Sequence, residues 1–184
     1  MAPPKGLGGG PGGMPPGFGG SGSGGGAKGG TGGMARLMGG TDLTADQRKI
    51  LRYAVEHSGS ARISLAADGG AMAASSYILN SDATVIGMGG FIGIDDAPSV
   101  DQLATWTERG ELRYVLGSEP GSRGAGPGAM MGGADSPATR RSAWIADHCA
   151  KVPAAAYGGR AGGSTGMMGI GTTLYDCAAT KDAK

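Results

Sequence analysis

The stretch Thr84-Val85-Ile86-Gly87-Met88-Gly89-Gly90-Phe91-Ile92-Gly93-Ile94-Asp95-Asp96-Ala97-Pro98 decides how the chain is read. A short β-branched run breaks into glycine, exposes an aromatic, presents two adjacent carboxylates and enters a helix at Pro98-Ser99. A buried strand that dissolves into Gly-Gly is how a parallel strand passes into a loop at the carboxyl edge of a sheet, where open α/β proteins build their sites. Local function is therefore expected at this edge.

Outward from that stretch, strands alternate with helices. Thr44-Ala45-Asp46-Gln47 is a capping box, and Ile50, Leu51, Ala54 and Val55 fall on one helical face before Gly59 stops the turn. Arg62 to Ala67 reads as a strand closed by Asp68-Gly69-Gly70. An alanine-rich helix runs from Ala71 to Leu79, with Asn80 as a left-handed stop. Thr84 to Met88 is the second strand. Ser99-Val100-Asp101-Gln102 caps a third helix, with Leu103 and Trp106 on its apolar face and Gly110 at its end. Leu112 to Leu116 is the third strand. Ser136-Pro137 opens a helix through Trp144, Ile145 and His148, proline suiting the first helical position, and Thr173 to Cys177 is the last strand. Two Gly-rich loops, 117–133 and 157–171, separate these final elements.

This alternation implies an α/β fold: a three-layer, Rossmann-like sandwich on a mainly parallel sheet of about four strands, preceded by a disordered Gly-rich segment. In a parallel sheet the strand ends share one edge. Asp68-Gly69-Gly70, Gly89-Gly90-Phe91 and Gly117-Ser118-Glu119 are then expected to line a common crevice, unless the last strand is antiparallel and crowds it. Candidate ligand-binding residues are Asp68, Gly89, Gly90, Phe91, Asp95 and Asp96.

The central stretch, with Tyr77-Ile78-Leu79 before it and Val100-Asp101-Gln102-Leu103 after it, resembles the GGFxGxDPxPxL signature of a soluble C-terminal domain of bacterial membrane glycosyltransferases. These belong to the dolichyl-phosphate-mannose mannosyltransferase-like family and carry the YkcA/YkcB-like C-terminal domain. The resemblance continues through Leu112-Arg113-Tyr114-Val115-Leu116 and Ser142-Ala143-Trp144-Ile145 to Thr173-Leu174-Tyr175-Asp176-Cys177, covering nearly everything after about Leu43. Asp96 departs from it, standing where the family usually has proline. The resemblance implies a non-catalytic, extracytoplasmic accessory domain of a transferase that uses a polyprenyl-phosphate sugar. Its partner would be the parent's membrane domain, which carries the family's catalytic carboxylates. A stand-alone carbohydrate- or phosphosugar-binding module is the alternative.

Composition sets the outer bounds. Of 184 residues, 41 are glycine, concentrated in the first forty positions, which carry almost no branched apolar residues. Such a segment cannot offset its ordering entropy. The division is 1–40 as a disordered linker, 41–178 as one domain and 179–184 as a disordered tail. On the resemblance, the linker is the tether that follows the parent's last spanning helix, and a Gly-rich coil of that length has a typical span of about 35 Å. The net charge is +1, with Lys and Arg totalling 16 against 15 Asp and Glu. No basic cluster exceeds Arg140-Arg141, so nucleic acid is not an expected partner. The chain shows neither an apolar span of membrane length nor a signal peptide, and its extracytoplasmic placement comes from the resemblance.

Several motifs carry less chemistry than they suggest. Gly87 to Gly93 fails the G-x-G-x-x-G pattern because Ile92 occupies the last glycine's place and no helix follows at once, so no nucleotide cofactor is implied. Asp95 and Asp96 could accept hydrogen bonds from sugar hydroxyls or bind a cation, or simply complement the helix dipole that follows. An exposed Phe91 favours the sugar. Cys149 and Cys177, the only cysteines, lack zinc-binding spacing and read as a disulfide outside the cytoplasm. The match to G-x-S-x-G at 162–166 lacks the strand and helix a nucleophile elbow needs. Met130, Met131, Met167 and Met168 are soft side chains in loops. No nucleophile, base and orienting group can be assembled, which leaves a catalytic role for this chain open and unsupported.

Overall fold

The computed structural model describes residues 42–119, 133–159 and 173–178. The segments 1–40 and 179–184, most of the two Gly-rich loops, the 162–166 motif and the four loop methionines lie outside the described residues.

Helix α1 spans Ala45–His57 and begins at the expected capping box. Thr44 Oγ1 accepts from the Gln47 amide at 3.2 Å and Gln47 Oε1 accepts from the Thr44 amide at 2.8 Å, so two otherwise orphaned donors are satisfied. Ile50, Leu51 and Ala54 are buried, whereas Val55, expected on the same face, is 43% exposed. The remaining elements are β1 Leu65–Asp68, α2 Gly70–Leu79, β2 Val85–Met88, α3 Val100–Glu108, β3 Tyr114–Gly117, α4 Pro137–His148, β4 Ala150–Lys151, a 3-10 turn Ala154–Tyr157 and β5 Thr173–Asp176. Asn80 ends α2 at φ −119°, not in the left-handed conformation expected of it. Its amide instead donates to the Ser76 carbonyl at 2.9 Å, which closes the last turn without a positive φ.

The sheet has five strands in the order β2-β1-β3-β5-β4 and is mixed. β1 pairs in parallel with β2 and β3, while β5 runs antiparallel to both β3 and β4. The additional strand, Ala150-Lys151, is too short to leave a hydrophobic period in the sequence. It exists because β5 offers it a free edge, to which the Val152 amide also donates at Leu174 O, 2.8 Å away.

Alternation along the strands separates two buried clusters. Leu65, Ala67, Tyr114, Leu116 and Leu174 pack with Ile50, Leu51 and Ala54 of α1 and Ala74 and Tyr77 of α2. Ala66, Met88, Val115 and Tyr175 pack with Leu103 of α3 and Ile145 of α4. Cys149 and Cys177 form a disulfide across 28 positions, tying the end of α4 to the residue after β5. No helix among the described residues is long and apolar enough to cross a membrane.

Candidate functional site

The register places Asp68, the last residue of β1, beside Met88, the last of β2, so the two following loops meet. Glycine permits the meeting. Gly70 has φ +79°, and a Cβ there would lie 2.5 Å from Phe91 O and 2.6 Å from Gly90 O. A Cβ on Gly87 would lie 2.5 Å from Gly70 O. The backbone contact is hydrogen-bonded: the Ala71 amide donates to Gly90 O at 2.8 Å and the Met72 amide to Phe91 O at 3.2 Å. Two of the unpaired donors at the start of α2 are thus satisfied by the loop after β2.

That loop is wound on itself. Gly89, Gly90 and Gly93 all have positive φ, the region that glycine adopts without steric cost. The Gly89 amide donates to Ala97 O at 2.7 Å, and the Asp95 amide donates to Gly89 O at 3.1 Å. The Asp95 carboxylate lies directly over Gly90, in space any Cβ would occupy.

Beneath the loop sits Arg141, a residue of α4 with no solvent exposure. A buried guanidinium requires anionic and carbonyl partners, and Arg141 has both kinds. Its Nε and Nη2 donate to Asp68 Oδ1 at 3.1 and 3.0 Å, Nη1 donates to Asp95 O at 3.0 Å, and Nη2 also donates to Gly93 O at 3.1 Å. The other carboxylate oxygen of Asp68 accepts from Ser142 Oγ at 2.8 Å. One arginine therefore ties β1, the loop after β2 and α4 into a single unit.

The outward face of this unit is apolar and acidic. Phe91 is 70% exposed, Met72 53% and Ile94 38%. Asp95 and Asp96 are exposed beside them, and Asp96 makes only a long ion pair of 3.9 Å with Arg140. Arg140 and Asp96 are both more than half exposed, which makes that pair weak.

The family model described as "Putative mannosyltransferase YkcB-like, C-terminal" matches residues 50–148, just over half of the chain. The chain belongs to this family. No curated protein and no solved structure matches it. The YkcB-like match runs from within α1 to the last residue of α4, so the glycine-wound loop and its buried arginine all lie inside it.

Within this YkcB-like domain, the six residues singled out in the sequence have different surroundings. Gly89, Gly90, Phe91 and Asp95 form one compact loop, Asp68 lies beneath it bound by Arg141 and Ser142, and Asp96 turns toward α4. The third expected loop contributes differently. Gly117 approaches Asp68, a Cβ there lying 3.9 Å from Asp68 Cβ, but Glu119 is ion-paired with Lys151 of β4 at 2.9 Å. Sequence reasoning missed Arg141, Ser142 and Met72. Arg141 was noted only as half of a basic pair. The available signal was its position on α4, four residues before Ile145, which points a charged side chain along the helix's core face.

Among the described residues, no three His, Cys, Asp or Glu side chains converge to hold a metal ion. Both cysteines are consumed by the disulfide. The loop offers an apolar ring face from Phe91 and hydrogen-bond acceptance from Asp95 and Asp96.

Proposed function

We propose that this YkcB-like C-terminal domain is a non-catalytic, extracytoplasmic accessory domain of a membrane glycosyltransferase that uses a polyprenyl-phosphate sugar. Its partner is the membrane domain of that transferase, and the Phe91 loop is the surface it presents. Family membership carries the reading. The disulfide supports an oxidising compartment, since such bonds persist outside the cytoplasm. Helix residues of α1 and α2 in one buried cluster, and of α3 and α4 in the other, support the three-layer, Rossmann-like architecture. Residues 1–40 serve as the tether that gives the domain reach, a reading supported by their Gly-rich composition.

Phe91 favours a second reading of the same loop, in which it stacks on a sugar while Asp95 and Asp96 accept hydroxyl protons. Asp68 then positions the loop through Arg141 without touching the ligand. The accessory role is tested by deleting the coding segment for 42–178 from the host and assaying its membranes for hexose transfer from a polyprenyl-phosphate donor. The accessory role requires transfer to persist with a changed acceptor KM. Complete loss, with the membrane domain still folded and inserted, would assign catalysis to this domain. Unchanged transfer, with reporter fusions reading a cytoplasmic position, would end the proposal.

A further inference from the structure

A groove of about 530 Å³ runs between the start of α3 and the outer face of α4, lined by Asp96, Ser99, Asp101, Arg140, Trp144 and Asp147, with His148 at its end. Its size lies within the roughly 300–1,000 Å³ typical of small-molecule sites. We propose that it is a binding site for an unphosphorylated pyranose, neutral or amino-substituted. The proposal goes beyond the accessory role and rests on the groove's own lining.

The aromatic wall is built and held. The Trp144 and His148 rings stack with centroids 4.7 Å apart and an interplanar angle of 11°. His148 Nδ1 donates to the Trp144 carbonyl at 2.9 Å, which orients the imidazole. Trp144 is half-buried and packed against the cluster that contains Leu103 and Ile145, which restricts its ring before any ligand arrives. A flat, pre-set aromatic surface suits the apolar face of a sugar ring.

The polar lining selects the rest of the ligand. The side-chain carboxylates of Asp101 and Asp147 have no hydrogen-bond or ion-pair partner among the described residues, the Asp101 carbonyl alone accepting from Thr105 Oγ1 at 2.9 Å, and ionised carboxylates can only accept. Hydroxyl and ammonium groups donate; phosphate oxygens do not. Three carboxylates stand against one guanidinium, and Arg140 already faces Asp96. A phosphorylated ligand would meet net repulsion. The three carboxylates do not form a cluster that could hold a metal ion.

The test follows the amide and indole N–H resonances of the full 184-residue chain during titration with methyl α-mannopyranoside, glucosamine and glucose 6-phosphate at neutral pH. The expected result is saturable, millimolar binding of the first two, with shifts at Ser99 to Asp101, at the Trp144 indole and at His148. Glucose 6-phosphate should bind at least fivefold more weakly. Asp101→Asn with Asp147→Asn, both surface changes that leave the fold intact, should weaken the sugars about fivefold or more, and Trp144→Phe should do the same without loss of spectral dispersion. Absence of shifts at tens of millimolar sugar, shifts confined to residues 89–95, or tighter binding of the phosphate ester would each overturn the proposal. None of these outcomes bears on the transfer assay, so the two readings fail separately.

Discussion

Removing Arg141 tests whether the loop after β2 is held from below or merely rests on α2. The Arg141 side chain is 1% exposed and Asp68 10%, and the arginine makes four hydrogen bonds, two of them to the carboxylate. Arg141→Ala strips the buried carboxylate of all but the Ser142 hydroxyl and leaves the Gly93 and Asp95 carbonyls without their donor. Breaking a buried pair in this one-sided way costs about 3–5 kcal/mol, a large share of the roughly 5–15 kcal/mol that holds a domain together. At about 4 °C per kcal/mol for a domain of this size, the melting temperature should fall by roughly 12–20 °C. Asp68→Asn should cost less, about 2–3 kcal/mol, because the amide oxygen still accepts one bond. The double variant Asp68→Asn with Arg141→Ala removes both charges and should be less destabilised than the sum of the single variants by about 2 kcal/mol. Urea denaturation followed by circular dichroism measures all four corners of this cycle, and the Phe91 amide resonance reports the loop independently. If Arg141→Ala costs under about 1 kcal/mol, or if the two changes add without coupling, the arginine is not what organises the edge.

Four further outcomes follow from the structure. Reducing Cys149–Cys177 opens a loop of 28 positions, and chain entropy predicts a loss between about 3 and 4 kcal/mol, measurable as a shift in the urea midpoint. Gly70→Ala should destabilise by more than about 2 kcal/mol, combining left-handed strain with displacement of the Phe91 carbonyl, whereas Gly59→Ala, whose φ is +60° in open space, should cost only about 1 kcal/mol. Burial pushes the Tyr77, Tyr114, Tyr157 and Tyr175 hydroxyls up from the ordinary tyrosine value; the folded state therefore keeps protons that the unfolded chain releases, so their contribution is whole below about pH 10 and falls above it by up to about 1.4 kcal/mol per proton per pH unit. Tyr77→Phe should make that alkaline decline shallower in denaturation midpoints taken between about pH 9 and 11. Deleting residues 1–40, which lack branched apolar periodicity, should leave the melting temperature within a few degrees, and a larger fall would mean that they pack on the domain.

What could be read in advance divides along the range of the interactions concerned. Helix starts are local: the side chain of Thr44, Ser99 or Ser136 accepts from an amide three residues on, and all three caps stand where the sequence put them. The meeting of the loops after β1 and β2 was legible for a similar reason, because parallel pairing forces neighbouring strand ends to one edge. The direction of β5 was not, since a four-residue strand carries the same alternation whichever way it runs. Arg141 was hidden because its partner Asp68 is 73 positions away and each residue alone looks like a surface charge. Val55 failed in the opposite sense: it has the right residue type on the edge of the right face, but its side chain reaches solvent because Ile50, Leu51 and Ala54 already fill the contact.

The buried arginine and the exposed phenylalanine are two ends of one arrangement. An isolated loop of five residues containing three glycines, Gly89 to Gly93, would lose more conformational entropy than most on being ordered by a partner. Here that ordering is done within the fold. Three glycines are fixed at positive φ, the loop's carbonyls are bound by Ala71, Met72 and Arg141, and the Asp95 carboxylate closes over Gly90. Phe91 is consequently held out from a backbone that need not rearrange, and a partner meeting it forgoes most of the loop-ordering cost that weakens binding to mobile segments. Nothing in the fold's own packing requires a 70% exposed phenylalanine at that position. Rigidity below combined with apolar exposure above is the pattern of an anchor residue, which supports the proposal that the loop, and not Asp68, makes the contact.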